Sequence, residues 1–304
     1  MSSDPESPAR ETAADGIPRG QAVLDDLVAL LDLERLEDNL FRGVSPPVSL
    51  PRVFGGQVAG QALVAAGRTV PADRRVHSLH AYFIRPGDPR IPIVYETERI
   101  RDGRSFTTRR VRAIQRGEAI FALSASFQLA QHGLWHTEPM PAGVPAPTDV
   151  DDLATRSLRG EGGYLARLPR PLDIRLIDEP TWSPRRTGPS DEPMRLWLRA
   201  DGTLPDEDLL HVCLLTYASD LTLLGSVPAR HDVPSTELQM ASLDHAMWFH
   251  EPFRADEWLL YECFSPAASG GRGLGSGRFF TADGRLVATC MQEGLVRVPA
   301  TGKS

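Results

Sequence analysis

One carboxylate interrupts the most apolar stretch of the chain. From Leu209 to Val227 the sequence reads LLHVCLLTYASDLTLLGSV, and Asp220 is its only acid. Burying a carboxylate is costly unless hydrogen bonds or a counter-charge hold it. Two roles suit such a residue. It can draw a proton from water as a general base, or it can cap a new helical segment, because Ser219-Asp220 precedes a second apolar run, LTLL. The spacing leaves both open. His77, His80, His245 and His250 fall in strand-like segments. Histidine titrates near neutrality, but these four read as hydrogen-bonded or surface residues, and Asp244 beside His245 reads as structural. The glycine-rich GGRGLGSGR (270–278) fits neither GxGxxG nor a Walker A pattern and contains no lysine. It reads as a flexible or bulged strand that a ligand approaches. No GxSxG occurs, which argues against an α/β-hydrolase.

Two segments carry the apolar helices that would hold such a site. VFGGQVAGQALVAAGRTV has no charge from Val53 to Ala66, and a helix apolar on every face is a buried one. Gly67 is its expected stop. Its small residues let another backbone come close. LLHVCLLTYASDLTLLGSV is the second such helix. Behind each lies a set of strand-like segments. VHSLHAYFIRP, IPIVYETERIRDG, SFTTRRVRAIQRG and AIFALSASFQ follow the first, with Asp102-Gly103 and Arg116-Gly117 as turns. ASLDHAMWFHEP, EWLLYECFSP, RGLGSGRFFTADG and RLVATCMQEGLVRV follow the second, with MRLWLRAD before it. Phe83/Phe249, Pro86/Pro252 and Tyr95-Glu96/Tyr261-Glu262 share one offset of 166 residues, so the halves read as a repeat. Upstream, Leu24, Leu27, Leu30 and Leu31 mark a helix. Leu33, Leu36 and Leu40 fit strand or helix. The expected division is a disordered tail over 1–20, a first domain over 21–130, a connection over 131–194 rich in Pro, Gly, Asp and Arg with short elements such as RPLDIRLID, and a second domain over 195–304.

The bulk composition narrows the partners. The 304 residues are 41% hydrophobic and 24% charged, as in globular chains. The net charge of −7 offers no general attraction to nucleic acid or an anionic membrane. No uncharged apolar run reaches about 18 residues, and the N-terminus has no signal-like apolar core, so a cytoplasmic setting without stable membrane insertion is expected. Cys213, Cys263 and Cys290 are far apart, with no metal-like spacing and an odd count.

The order of FGGQVAGQAL, VHSLHAYFIRPGD, RDGRSFTTRRVRAIQ, ASFQ, YASDLTLL, LDHAMWFHEPF, EWLLY and MQEGL resembles the acyl-CoA thioesterase II family, from about Val53 to Val296. The resemblance implies an α+β double hotdog, two fused domains in which an antiparallel sheet wraps a helix. It implies hydrolysis of fatty acyl-CoA to free acid and coenzyme A. Carried over by motif, the catalytic group is Asp220 in YASDL, Ser242 in ASLDHAMWFH and Gln292 in MQEGL. Many family members have Thr where this chain has Ser242; the hydroxyl is kept and a methyl is lost. Gly55, Gly56 and Gln57 open the first helix at the position of a hotdog ligand site. Arg109, in the RRVR cluster (109–112), is a candidate for the coenzyme A phosphates, or else part of a solvated strand face.

The chemistry implied is economical. Thioester hydrolysis needs a water made nucleophilic by a base, groups that fix its direction, and donors for the oxyanion. No metal or cofactor is required. A double hotdog supplies its own edge-to-edge sheet pair, and further assembly into a homo-oligomer is expected. Two other functions compete. The enoyl-CoA hydratases of this fold pair an Asp with a His five residues on, where this chain has Gly225. A non-catalytic acyl-CoA-binding protein is the second, suggested by Ser242.

Overall fold

The computed structural model of the chain describes residues 11–46, 51–165 and 168–299. A short helix, α1 (Gln21–Leu31), buries Val23, Leu24, Leu27 and Leu31. The undecided stretch after it is a hairpin, β1 (Glu34–Glu37) and β2 (Leu40–Gly43). Helix α2 (Gly55–Gly67) buries every residue from Gly56 to Ala66, as its all-round apolarity demands. Strands β3 (Arg74–Phe83), β4 (Ile93–Asp102), β5 (Phe106–Gln115) and β6 (Glu118–Leu129) wrap it. After a connection holding α3 (Leu153–Leu158) come β7 (Leu172–Leu176), β8 (Met194–Ala200) and the second core helix, α4 (Asp208–Ser219). The chain ends in β9 (Gln239–Ser242), β10 (Asp244–Phe249), β11 (Leu259–Ser269), β12 (Arg272–Thr281) and β13 (Leu286–Arg297).

All thirteen strands form one sheet in the order β1-β2-β4-β5-β6-β3-β10-β13-β12-β11-β8-β7, with β9 paired to β13 beside the path. The halves meet where β3 pairs antiparallel with β10. There His80 lies opposite Ala246, its own counterpart at the 166-residue offset, so the local twofold axis passes between these two residues. Each half thereby covers the other's open edge.

The two core helices pack antiparallel. A Cβ on Gly56 would lie 2.3 Å from the Tyr217 carbonyl oxygen, and one on Gly60 3.1 Å from that of Cys213. Gly67 does not stop α2 by a left-handed turn. It makes room for Leu209, whose side chain would be 2.5 Å from an added Cβ. The stretch Asp208–Arg230 has the length and hydropathy of a membrane span, yet 61% of its apolar window is buried in this core. The three cysteines are free and buried.

Three parts of the expected division read differently in the structure. Residues 1–10 of the expected tail lie outside the described residues, and 11–20 are tied down, with Asp15 paired to Arg170 and Arg19 to Asp201 at 3.0 Å. The stretch taken as a connection contributes β7, its short element RPLDIRLID, which ends the sheet of the second half beside β8. Its earlier part lies over the outer face of the second half, where Met140, Val144 and Val150 pack on Trp197, Leu260, Phe280 and Leu286. The glycine-rich segment is a turn at Gly270-Gly271 followed by a strand, β12, paired on both sides with a register irregularity in each pairing. Gly273 and Gly275 admit the chain's own Val227 and Leu223 rather than a ligand.

Gly56→Ala should lower unfolding stability by about 2–3 kcal/mol, the scale of core overpacking, because a methyl there has to push the helices apart. Denaturant midpoints of the two proteins measure it, and an unchanged midpoint would mean that the helix contact is looser than this geometry.

Candidate active site

Asp220 is the C-cap of α4, with φ −82° and ψ −6°. It does not cap a following helix. The next turn, Leu223–Ser226, starts from Thr222 and has no side-chain cap. The Asp220 side chain instead meets two residues from the sheet. Gln292 Nε2, on β13, donates to Asp220 Oδ1 at 2.5 Å and to Ser242 Oγ at 2.9 Å. Ser242, at the end of β9, directs its hydroxyl at the same Oδ1 over a longer 3.4 Å. The three residues carried over from the family motifs, 72 positions apart at the extremes, therefore converge on one point. Gln292 is fully buried, and its Oε1 has no partner among the described residues.

The surroundings explain the state of the carboxyl. Burial pushes the Asp220 pKa up to about 6, against the lowering effect of Gln292, the Gly56 amide, Ser242 and the charge of Arg52. Arg52 is anchored to the Met240 carbonyl of β9 at 3.2 Å and has no carboxylate partner among the described residues. The Gly56 amide belongs to the first turn of α2, where backbone donors are unpaired and the helix dipole is positive. At Gly55 a Cβ would stand 2.6 Å from Asp220 Oδ2 and 2.7 Å from the Phe83 ring, so only glycine leaves the carboxylate this room. Phe54 and Tyr217 close one side, edge to face at 5.1 Å.

Backbone pins hold Asp220 in register. The Tyr261 hydroxyl donates to the Ser219 carbonyl at 2.9 Å, and the Ser219 hydroxyl lies 2.8 Å from His245 Nε2. Burial drives His245 down to about 4, so it is a neutral strut rather than a base. His77 bonds Ser126, His250 bonds Thr289, and His80 stands edge-on to Trp248. Asp244 accepts the Glu293 amide at 2.7 Å, fixing the strand beside Gln292.

The remaining sequence candidates divide. Gly55 and Gly56 border the carboxylate. Gln57 begins the same helix but turns its side chain to the Val44 carbonyl, Ser45 and Gln61, with Nε2 bonds of 3.0, 3.1 and 3.3 Å. Arg109 is not brought to this group. It is buried at the opposite end of α2, where Thr69, Asp102, Arg101 and Thr108 occupy its guanidinium. Arg110 and Arg112 pair with Glu98 and Glu96 on the neighbouring strand. Sequence reasoning did not single out Arg52 or Tyr217. Of the two Ser219 partners, His245 is hydrogen-bonded as expected, and Tyr261 had the Tyr95/Tyr261 repeat as its one signal, both rings being fully buried.

The strand register also shows how the two halves differ at this point. His80 faces Ser124 on β6 as Ala246 faces Met291 on β13. Carried along by one residue, Ala125 occupies the place of Gln292. Val76 faces Phe127 as Ser242 faces Gly294. The first half thus has Val76 and Ala125 where the second has a hydroxyl and an amide.

A helix wrapped by an antiparallel sheet, repeated once, is the double hotdog architecture. A protein with a hotdog fold from Alicyclobacillus acidocaldarius superposes with a TM-score of 0.72 over 90% of this chain and 99% of its own, at 21% identity. Closer likeness identifies the family. The description "Acyl-CoA thioesterase N-terminal domain" matches residues 44–128, and "Acyl-CoA thioesterase" matches 173–295. Acyl-coenzyme A thioesterase 8 of Mus musculus is 44% identical, covering 90% of this chain and 89% of its own. Acyl-CoA thioesterase 2 of Haemophilus influenzae is 37% identical over 90% and 98%. The structure of acyl-CoA thioesterase II TesB2 from Mycobacterium marinum, 47% identical, gives a TM-score of 0.76 over 91% of this chain and 100% of that one. The chain belongs to the acyl-CoA thioesterase II family, and it is a thioester hydrolase.

The raised carboxyl has a sign that stability can test. A folded pKa of about 6, above the unfolded value, means that the native state holds the proton more tightly. This contribution to stability is complete below the unfolded pKa and is lost as pH rises through about 6. Asp220→Asn, which cannot ionise, should therefore gain stability relative to wild type on going from pH 5 to pH 8. Denaturant titrations at the two pH values measure the difference. A constant offset would mean that burial does not raise this carboxyl.

Proposed function

We propose that the chain hydrolyses fatty acyl-CoA through one water activated by Asp220 and oriented by Ser242 and Gln292. The observation that carries this reading is the closed contact of the three side chains, with one buried acceptor, Gln292 Oε1, left open. A water donating to that oxygen and to the Asp220 carboxylate has both hydrogens directed, which leaves a lone pair for the thioester carbonyl. Asp220 takes the proton as the water oxygen bonds to the carbonyl carbon. The positive end of α2, whose Gly56 amide already donates to Asp220, supplies positive potential for the oxygen that gains charge. When the tetrahedral intermediate collapses, the carbon–sulfur bond breaks, and the proton on Asp220 passes to the leaving thiolate. Free acid and coenzyme A result, and the carboxylate is restored.

A carboxyl poised near 6 is a stronger base than a solvent-exposed aspartate and still ionised at neutral pH. Ser242 carries the hydroxyl this scheme needs; a threonine would hold it in fewer rotamers. The hydratase alternative gains no support, since Gly225 stands where its histidine would.

Thiol release from a panel of acyl-CoAs tests the scheme. Asp220→Asn should lower kcat by roughly a thousandfold, within the range of general-base removal, while Ser242→Thr retains turnover. Wild-type turnover in Asp220→Asn would remove Asp220 from the mechanism, and a collapse in Ser242→Thr would mean that the water lies elsewhere.

A further inference from the structure

Tyr164 belongs to the stretch between the two family-matched regions, 44–128 and 173–295, and it reaches the backbone next to Asp220. Its hydroxyl donates to the carbonyl of Leu221, the residue directly after Asp220. Its ring stands edge-on to Trp182, with centroids 5.7 Å apart and planes at 69°. The preceding Gly163 is left-handed, with φ +57°, and a Cβ there would lie 2.3 Å from the Trp182 indole. The segment is thus pressed onto Trp182, and this fixes where the tyrosine hydroxyl falls. About half of the ring is exposed.

Ser219, on the inner side of Asp220, is pinned to the sheet by Tyr261 and His245. The peptide on the outer side has Tyr164. Between these two pins the Asp220 side chain must stay within reach of Ser242 and Gln292. We propose that Tyr164 is a positioning residue for hydrolysis, its hydroxyl fixing the Leu221 carbonyl, one peptide beyond Asp220, so that the carboxylate keeps its place against Ser242 and Gln292. This rests on Asp220 as the base.

The pin is electrical as well as mechanical. Carbonyls at a helix C-terminus carry the negative end of the dipole, and the Leu221 oxygen lies just past that end. A hydroxyl donating to it withdraws part of this negative potential from the neighbouring carboxylate. The other groups that face Asp220 are Tyr217 on α4, Arg52 and the Gly56 amide at the start of α2, Ser242 on β9, and Gln292 and Cys290 on β13. None of them changes in Tyr164→Phe.

The test is the pH dependence of kcat and KM for acyl-CoA hydrolysis in wild type, Tyr164→Phe and Tyr164→Ala, with melting temperatures to confirm folding. Tyr164→Phe should lower kcat roughly tenfold, the scale of one hydrogen bond, leave KM within about twofold, and move the acidic limb to higher pH. Tyr164→Ala should lower kcat as much. Wild-type kcat in Tyr164→Phe overturns the proposal. So does a lowered kcat with the acidic limb unmoved, which is general loosening. A raised KM at constant kcat also overturns it, because the ring would then be contacting substrate. Asp220→Asn in the wild-type background separates this failure from the other: if that variant still turns over, it is the base assignment that has failed.

Discussion

The close antiparallel passage of α2 against α4 is the constraint on which the rest depends. Backbone meets backbone at Gly56 and Tyr217. This proximity brings the positive start of one helix, with its Gly56 amide, to the carboxylate at the other helix end. Neither half holds these components alone. The sheet makes the passage possible by joining the halves at β3 and β10, so that two helices wrapped by separate strands share one interior. It also delivers Ser242 and Gln292 from β9 and β13, adjacent strands whose pairing holds hydroxyl and amide at a fixed separation.

The fold was legible because its signals are repetitive. Two apolar helices, alternating strands and a common offset of 166 residues do not need long-range information. Asp220 was legible as an anomaly, an acid where burial is expensive. Ser242 and Gln292 were not legible as chemistry from their own surroundings. A serine and a glutamine on strands are ordinary, and what makes them a group is a contact across the sequence. Family motifs supplied that contact before geometry did. Arg109 shows the opposite case. A basic run on an alternating strand suggests an outward comb of charge, yet Arg109 points inward and is occupied by Thr69 and Asp102. Within the connection the short element RPLDIRLID was legible, and it is β7; its membership of the second half was not, because only the pairing with β8 defines it.

The two halves have kept one architecture while differing in chemistry. At matching registers Val76 and Ala125 pack where Ser242 and Gln292 bond. The same divergence is visible outside, where the connection covers the outer face of the second half with Met140, Val144 and Val150. The half with the polar group also has the thicker wall and the extra backbone pins. A partly buried carboxylate favours such rigidity, since looser surroundings admit water and lower its basicity.

The pairing of His80 with Ala246 also bears on how the chain is made. During synthesis the first half leaves the ribosome with β3 as an open edge and one side of α2 bare. The strand that closes that edge arrives 166 residues later. An unpaired edge beside exposed apolar surface is the usual route to misassembly. The nascent first half is therefore the vulnerable species, and the protein becomes safe from its neighbours only when its second half has folded against it.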